Sequence, residues 1–396
     1  MNARSWLLMI SVGFGILLNP LNSSMISVAI PGLQKDFQLD YTSVSWIIFS
    51  FYMASVVAQP VMGRASDLFG RRRIFLAGLG VAFTASLLAP LSASFGWLIV
   101  FRVLQSIGTS MMSAVGMALV RIHITEKQAS ALSVLSIFLS GAAAIGPFAG
   151  GVLIHWWDWH AIFFVNIPFV AVSFILAWKI IPKDERPASA RRGLPPLISL
   201  RTFTKYPEMT LVNFEFMLVN LLYYSIFFGF PSYLQLVRHV SDYHTGILML
   251  TLGICSLVSS PLAGRWVDQS GPRPAFMLSA ALMTFGSVWL VLLNSHSPLI
   301  LAGLALAAFG VSNGLNSVAM QAALFNSSPK EIIGAASGLF NTSRYIGTLL
   351  SSLLISMIMG GQFSSGGFRI LGIFLILTAL SLLGLSLQRR GAKQPQ

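Results

Sequence analysis

Twelve runs of apolar residues, each roughly 20 long, limit this chain more than any other feature, because that length spans the hydrocarbon core of a bilayer. They fall at about 6–30, 42–63, 74–92, 96–119, 129–153, 160–181, 209–233, 244–264, 274–293, 298–324, 333–358 and 367–387. Only 9% of the 396 residues are charged and 55% are hydrophobic, whereas a soluble domain carries about 25% charge. Lipid is the solvent that accepts such a composition. It offers no partner to a free backbone N–H or C=O, so each run has to be a helix. The expected fold is an all-α membrane protein with twelve transmembrane helices.

Charge placement gives the expected orientation. The net charge is +13, from 25 Lys and Arg against 12 Asp and Glu. The basic residues form short clusters between apolar runs rather than a stripe on an amphipathic face. That pattern argues against nucleic acid as a partner and for basic cytoplasmic loops. With the N-terminus inside, twenty of them lie on the cytoplasmic side and three, Lys35, Arg238 and Arg369, on the other, with Arg102 and Arg344 within spans. Both termini are therefore expected in the cytoplasm and the chain in the inner (cytoplasmic) membrane. The single cysteine, Cys255, lies in an apolar run, which rules out an intramolecular disulfide and speaks against a metal cluster. The apolar stretch after Arg4 continues through Asn19-Pro20 to Pro31 with no small-x-small cleavage site. It is read as a retained first span and not a signal peptide.

The longest polar stretch, 182–207, follows six spans and precedes six more. It is expected to be a cytoplasmic linker between two pseudo-symmetric six-helix bundles, 1–181 and 208–396. The halves repeat. Gly63-Arg64-Ala65-Ser66-Asp67-Leu68-Phe69-Gly70 follows span two, and Gly264-Arg265-Trp266-Val267-Asp268-Gln269-Ser270-Gly271 follows span eight. Both read Gly-Arg-x-x-Asp-x-x-Gly, 201 residues apart (264 minus 63). An internal repeat of half the chain is a mark of transporters built from two related bundles.

The first of these loops continues into Arg71-Arg72-Arg73, and with them the chain resembles the major facilitator superfamily over essentially its whole length. Gly63, Asp67, Gly70, Arg71, Arg72 and Arg73 fill every constrained position of the superfamily's loop signature. The resemblance implies that Gly63, Asp67, Gly70 and Arg71, with Asp268 in the second half, form a conformational gate. Topological anchoring alone remains a good account of Arg72 and Arg73. Gly146-Pro147-Phe148-Ala149-Gly150-Gly151 in span five is similar to the Gly-Pro-x-x-Gly-Gly motif of the antiporter branch, although Ala142 fills an upstream position expected to be Gly. Gly146, Pro147, Gly150 and Gly151 are accordingly expected to act as a hinge or seal, with small-residue helix packing as the alternative.

Further stretches resemble the drug:proton antiporter branch, of which this chain would be a twelve-span relative of the fourteen-span exporters. They are Trp46 with Tyr52, Val28-Ala29-Ile30-Pro31, Trp159-x-x-x-Phe163-x-x-Asn166-x-Pro168, and Arg102-x-x-Gln105-x-x-Gly108. One departure stands out: the branch usually has an acid in span one where this chain has Asn22.

Ionisable groups inside lipid cost several kcal/mol and so call for a reason. Arg102 either snorkels to headgroups or supplies a fixed positive charge that tunes a proton site or engages substrate. Glu215, the one acid well inside a span, is a proton-carrier candidate; the alternative is a water-exposed or ion-paired residue at a vestibule. Arg344, near Asn341, either pairs with an acid, contacts substrate, or is structural. The resemblance implies a central cavity lined by spans one, four, seven and ten. Candidates there are Asn19, Asn22 and Met25; Met112; Asn213, Phe216, Asn220, Tyr223, Tyr224 and Phe227; and Asn313, Asn316, Met320 and Gln321. Plain interhelical hydrogen bonding competes at every one of these polar positions.

The expected function is proton-coupled export of lipophilic or drug-like molecules by alternating access. The alternative is a dedicated exporter of one metabolite, lipid or siderophore on the same fold. No Gly-x-x-x-x-Gly-Lys-Ser/Thr loop supports ATP hydrolysis, and no nucleophile or His/Asp/Glu cluster supports an enzyme. The expected partners are a small-molecule substrate, protons and the bilayer. The protein is expected to be a monomer without metal or cofactor.

Overall fold

A computed structural model of the protein describes residues 3–124, 128–182, 206–293, 297–328, 333–360 and 363–388. Twelve helices among them are long and apolar enough to cross a membrane. The chain divides into two compact units, Met1–Leu197 and Ile198–Gln396. Most of the expected linker, 183–205, lies outside the described residues.

The first unit holds span one (Ser5–Phe37), two (Tyr41–Ser66), three (Arg71–Leu91), four (Phe95–Val120), five (Phe138–Trp156) and six (Ala161–Ile180). The second holds span seven (Pro207–Val237), eight (Asp242–Ser270), nine (Pro272–Leu292), ten (Leu299–Ser327), eleven (Leu339–Met359) and twelve (Ser365–Ser386). Each overlaps one apolar run of the sequence. Spans one, seven and eight run on past their apolar runs, to Phe37, Val237 and Ser270. A hydropathy pattern stops where lipid stops, whereas a helix continues as long as its ladder of backbone bonds is satisfied. Pro31 and Pro231 sit inside these helices without ending them. Span seven closes in a π turn over Tyr233–Val237.

The same neighbours recur in both units. Span one packs on five and span seven on eleven. Spans two and three pack on four, and eight and nine pack on ten. Backbone details repeat as well, at the 201-residue offset of the sequence repeat. Span two ends at Gly70, φ 99°, and span eight at Gly271, φ 76° (271 minus 70). Left-handed backbone of this kind is free of Cβ strain only in glycine, so the glycines closing the two repeated loops are a geometric requirement. Gln38 and His239, with φ of 51° and 53°, follow the ends of spans one and seven. Two residues later Asp40 and Ser241 cap the next helix, accepting from the N–H groups of Ser43 and His244. The Ser43 hydroxyl and N–H together hold the Asp40 carboxyl below the usual carboxylate range. Pro60 and Pro261 occupy equivalent points in spans two and eight.

Polar side chains stitch helices together inside each unit. Ser11 and Ser173 exchange hydroxyl-to-carbonyl bonds of 3.1 and 2.7 Å between spans one and six. Ser279 and Ser312 do the same between nine and ten at 3.0 and 2.9 Å. Such bonds contribute only about 0.6–2 kcal/mol each in membranes, but they fix register where apolar side chains on every face cannot.

Candidate functional site

Within the first unit, Arg102 is buried, with 1% of its surface exposed. The helix Phe95–His123 places it beside spans two and six, where its guanidinium lies 4.4 Å from the centroid of Phe51 and 5.8 Å from that of Phe163. Nη1 donates to Gln105 Oε1 at 2.8 Å, and Gln105 Nε2 donates to Ser86 Oγ of span three at 2.9 Å. Nε and Nη2 donate to no group among the described residues. Snorkelling is thereby overturned. Ring faces carry negative quadrupole density that a cation can use in place of water, so a guanidinium enclosed by phenylalanines stays where it is.

In the same unit, the two amides of span one are tied off. Asn19 Nδ2 donates to Thr109 Oγ1 at 3.1 Å. Asn22 Nδ2 donates to the Leu18 carbonyl at 2.8 Å, while its Oδ1 accepts from Asn166 Nδ2 at 2.7 Å. The position where an acid was expected thus holds a neutral amide with both ends engaged. Met25 and Met112 are fully buried.

Span five meets span one through its glycines. A Cβ at Gly146 would fall on the Ser24 side chain, and one at Gly150 would lie 3.0 Å from the Met25 carbonyl oxygen. Pro147 and Gly151 sit in the same uninterrupted helix, Gln128–Trp156. This is the close packing that the small residues permit.

In the second unit, Glu215 is fully buried on the helix Pro207–Ser232, which overturns a water-exposed side chain at a vestibule. Its neighbours along the helix are committed to span eleven. Asn213 Oδ1 accepts from Ser343 Oγ at 3.2 Å, and the Phe216 and Phe340 rings stack with centroids 3.7 Å apart. Asn220 Nδ2 returns to the Phe216 carbonyl at 2.7 Å. Tyr223 stacks with Phe227 and Tyr224 with Phe228; of the two tyrosines, Tyr224 is half-buried and Tyr223 buried. Arg344 is half-buried, its guanidinium 5.0 Å from the Tyr345 ring. On span ten Asn313 donates to Ser256 Oγ at 2.9 Å, and Asn316 points at Met283 Sδ, 3.9 Å away. Met320 is buried and Gln321 exposed.

At the loop ends, Gly63 is half-buried with Ala114 4.0 Å from where its Cβ would be. Gly70 makes the turn and Arg71 opens the next helix, half-buried. Asp67 lies on the helix Trp46–Phe69, but its side chain is outside the described set. Asp268 is exposed. Arg72 does more than anchor the loop in headgroups: it donates to the Trp178 carbonyl at 2.6 Å and lies 5.5 Å from that indole, tying the loop to span six.

The structure therefore gathers Arg102, Gln105, Asn19, Asn22 and Met112 in one unit and Glu215, Phe216, Asn220, Arg344 and Asn316 in the other. Sequence reasoning missed Phe51, Ser86, Ser106, Ser343 and Phe340. Ser106 carried a usable signal, four residues after Arg102 on the same helix; it donates to the Phe51 carbonyl at 2.6 Å. The others come from different spans and carried none.

A sequence profile described as the Major Facilitator Superfamily matches residues 12–352 and 242–395. The uncharacterized MFS-type transporter YwoD of Bacillus subtilis (strain 168) is 38% identical, over 93% of this chain and 93% of its own. The tetracenomycin C resistance and export protein of Streptomyces glaucescens is 24% identical, over 91% of this chain and 77% of its own. Among solved structures, a bacterial homolog to the human lysosomal transporter Spinster, inward-facing and unoccupied, matches with a TM-score of 0.81 at 17% identity, covering 99% of this chain and 100% of that one. That likeness is one of fold.

Proposed function

The chain belongs to the major facilitator superfamily and is a transporter; from that premise we propose that it exports lipophilic or drug-like small molecules in exchange for protons, by alternating access. Both termini lie on the cytoplasmic side in this reading, and substrate is taken up from that side. The observation that carries it is Glu215, a fully buried carboxyl well inside a span. Loading it with a proton removes a charge whose presence in lipid costs several kcal/mol, so proton uptake and release at this position can bias which conformation is favoured. The export protein of Streptomyces glaucescens, a resistance and export protein by name, supports the outward direction. The arginine–glutamine pair of span four and the glycines of span five support the antiporter branch.

The test is transport in reconstituted vesicles. Glu215→Gln is expected to abolish substrate movement driven by a pH gradient while the variant still folds and elutes like the parent. Unchanged gradient-driven transport removes Glu215 from the mechanism. A second reading, a dedicated exporter of one compound, is favoured by Asn22, a neutral amide engaged at both ends in span one, where the resemblance to the antiporter branch leads to the expectation of an acid. In efflux-deficient bacteria, protection against several unrelated lipophilic compounds supports the first reading. Protection against none, with a growth phenotype on deletion in the native host, supports the second.

A further inference from the structure

The two copies of the repeated loop share one bond and differ in what surrounds it. In the first unit Arg72, the second residue of span three, donates through Nη2 to the Trp178 carbonyl in the last turn of span six at 2.6 Å. In the second unit Arg273, 201 residues on (273 minus 72), is the second residue of span nine. It donates through Nε to the Ser386 carbonyl at the end of span twelve at 3.3 Å. Carbonyls of a last helical turn have no partner within their own helix, and a cation there also suits the negative end of the helix dipole. The tie that closes this corner of a six-helix unit therefore takes one arginine. Arg71 and Arg73 have prolines, Pro272 and Pro274, as their counterparts in the second loop. The residue whose carbonyl accepts the bond is a buried serine in the second unit and an exposed tryptophan in the first.

The groups that the first unit adds meet at the end of one exposed face. Trp178 stacks with Phe174, ring centroids 6.1 Å apart, and the Arg72 guanidinium lies 5.5 Å from its ring. Val172, Ile175 and Trp178 stand three residues apart on span six, an exposed apolar stripe that ends at the exposed Lys179. Arg73 is exposed and Arg71 half-buried at the start of span three, which packs directly on span six. Five basic groups, Arg64, Arg71, Arg72, Arg73 and Lys179, stand against one acid, Asp67, so this corner carries +4 (5 minus 1) however these groups pair with one another. Lys183, Asp184, Glu185 and Arg186, which follow span six, sum to zero and leave that balance as it is. Loop charge that sets orientation acts through its sum alone and gives no reason for a stripe and a tryptophan beside it. An apolar stripe running into a cationic end is complementary to a molecule with hydrocarbon at one end and negative charge at the other.

We propose that this corner of the first unit binds one phospholipid with a net negative headgroup, drawn from the leaflet beside the loop. Arg71, Arg73 and Lys179 hold its phosphate, and one acyl chain lies along Val172, Ile175 and Trp178. The lipid bridges the same two helices that Arg72 ties, and so strengthens the corner next to the loop expected to act as a gate. The inference goes beyond the export reading and depends on neither the direction of transport nor the compound carried.

The full chain, purified and stripped of lipid in an uncharged detergent, tests this, with bound lipid counted by native mass spectrometry. The probes are dioleoyl phosphatidylglycerol, dioleoyl phosphatidylcholine as the zwitterion on the same chains, and glycerol 3-phosphate as the headgroup without chains. The expected result is one phosphatidylglycerol bound at least tenfold more tightly than phosphatidylcholine and not displaced by an equal concentration of glycerol 3-phosphate. Each cation beside an anionic lipid is worth about fivefold in affinity. Arg71→Gln combined with Arg73→Gln, which keeps Arg72 and its tie, is therefore expected to weaken phosphatidylglycerol about 25-fold. Arg265→Gln combined with Lys330→Gln removes as much charge from the second unit and is expected to leave binding unchanged. Equal binding of the two lipids, displacement by glycerol 3-phosphate, an unchanged affinity in the first double variant, or an equal loss in the second each overturns the proposal. Should the first double variant not elute like the parent, Trp178→Leu combined with Lys179→Gln is read in its place. A loss of at least fivefold is expected there, and an unchanged affinity overturns the proposal. Because no transport is read, every one of these outcomes leaves the export reading as it stands.

Discussion

At the scale of single residues, the group that most shapes this protein is a cation held, among the described residues, without an anion. Arg102 relies on two ring faces and one amide oxygen, and that amide in turn reaches Ser86. Gln105→Leu keeps the volume but removes the only acceptor of Nη1 among the described residues. Hydrogen bonds to charged groups contribute about 1.5–3 kcal/mol when buried, so the variant is expected to unfold at a clearly lower temperature in detergent. An unchanged thermal midpoint would show that the rings alone hold the guanidinium. Arg102→Lys tests the complementary point. An ammonium lacks the flat face that packs between rings and the fork that reaches Gln105, so transport is expected to fall at least tenfold even where the variant folds. Arginine and glutamine three apart on one helix were legible in the sequence. The enclosing rings were not, since Phe51 and Phe163 arrive from spans two and six, and nothing in a linear pattern pairs them with span four.

At the scale of helices, the informative contact is span five on span one, where two glycines do different work. At Gly146 an added methyl clashes with the Ser24 side chain and reaches the Met25 backbone nitrogen only at an ordinary 3.5 Å, whereas at Gly150 it presses on the Met25 backbone at 3.0 Å. Gly146→Ala is therefore expected to destabilise the protein and Ser24→Gly to rescue much of that loss in the double variant, a coupling of about 0.5–3 kcal/mol for residues in contact. Gly150→Ala has no such remedy, because a backbone carbonyl cannot be trimmed. Thermal unfolding of the four variants decides the matter, and a Gly146→Ala defect that Ser24→Gly leaves untouched would place the strain elsewhere. The twelve spans themselves were readable from apolar run length, because lipid enforces helix on any chain that enters it. Their ends were not. Span seven runs on to Val237 through Pro231, and span one to Phe37 through Pro31, since polar residues such as Gln34 and Lys35 extend a helix beyond the lipid without any loss of backbone bonding. The amide stripes were legible as stripes but not as contacts: Asn19, Asn213 and Asn313 are each spent on a neighbouring helix of the same unit.

For the whole molecule, the repeat and the charge asymmetry answer different questions. The repeat, visible as Gly-Arg-x-x-Asp-x-x-Gly and matched by paired left-handed glycines, says that one six-helix plan was used twice. It says nothing about which way the chain faces, because six crossings return each unit to the side it started from. Orientation must come from the loops, where twenty basic residues stand on one side against three on the other. Each Lys or Arg near an anionic leaflet is worth about 1 kcal/mol, so the reversed arrangement would forfeit many such contacts. Because Cys255 is the only cysteine, Cys255→Ser gives a clean background for the test. Ser94, exposed between spans three and four, and Ser270, exposed at the end of span eight, lie on opposite sides in the proposed topology. In intact cells a membrane-impermeant maleimide is expected to label Ser94→Cys and spare Ser270→Cys until the membrane is opened. The opposite labelling would reverse the orientation and, with it, the direction in which substrate and protons are proposed to move.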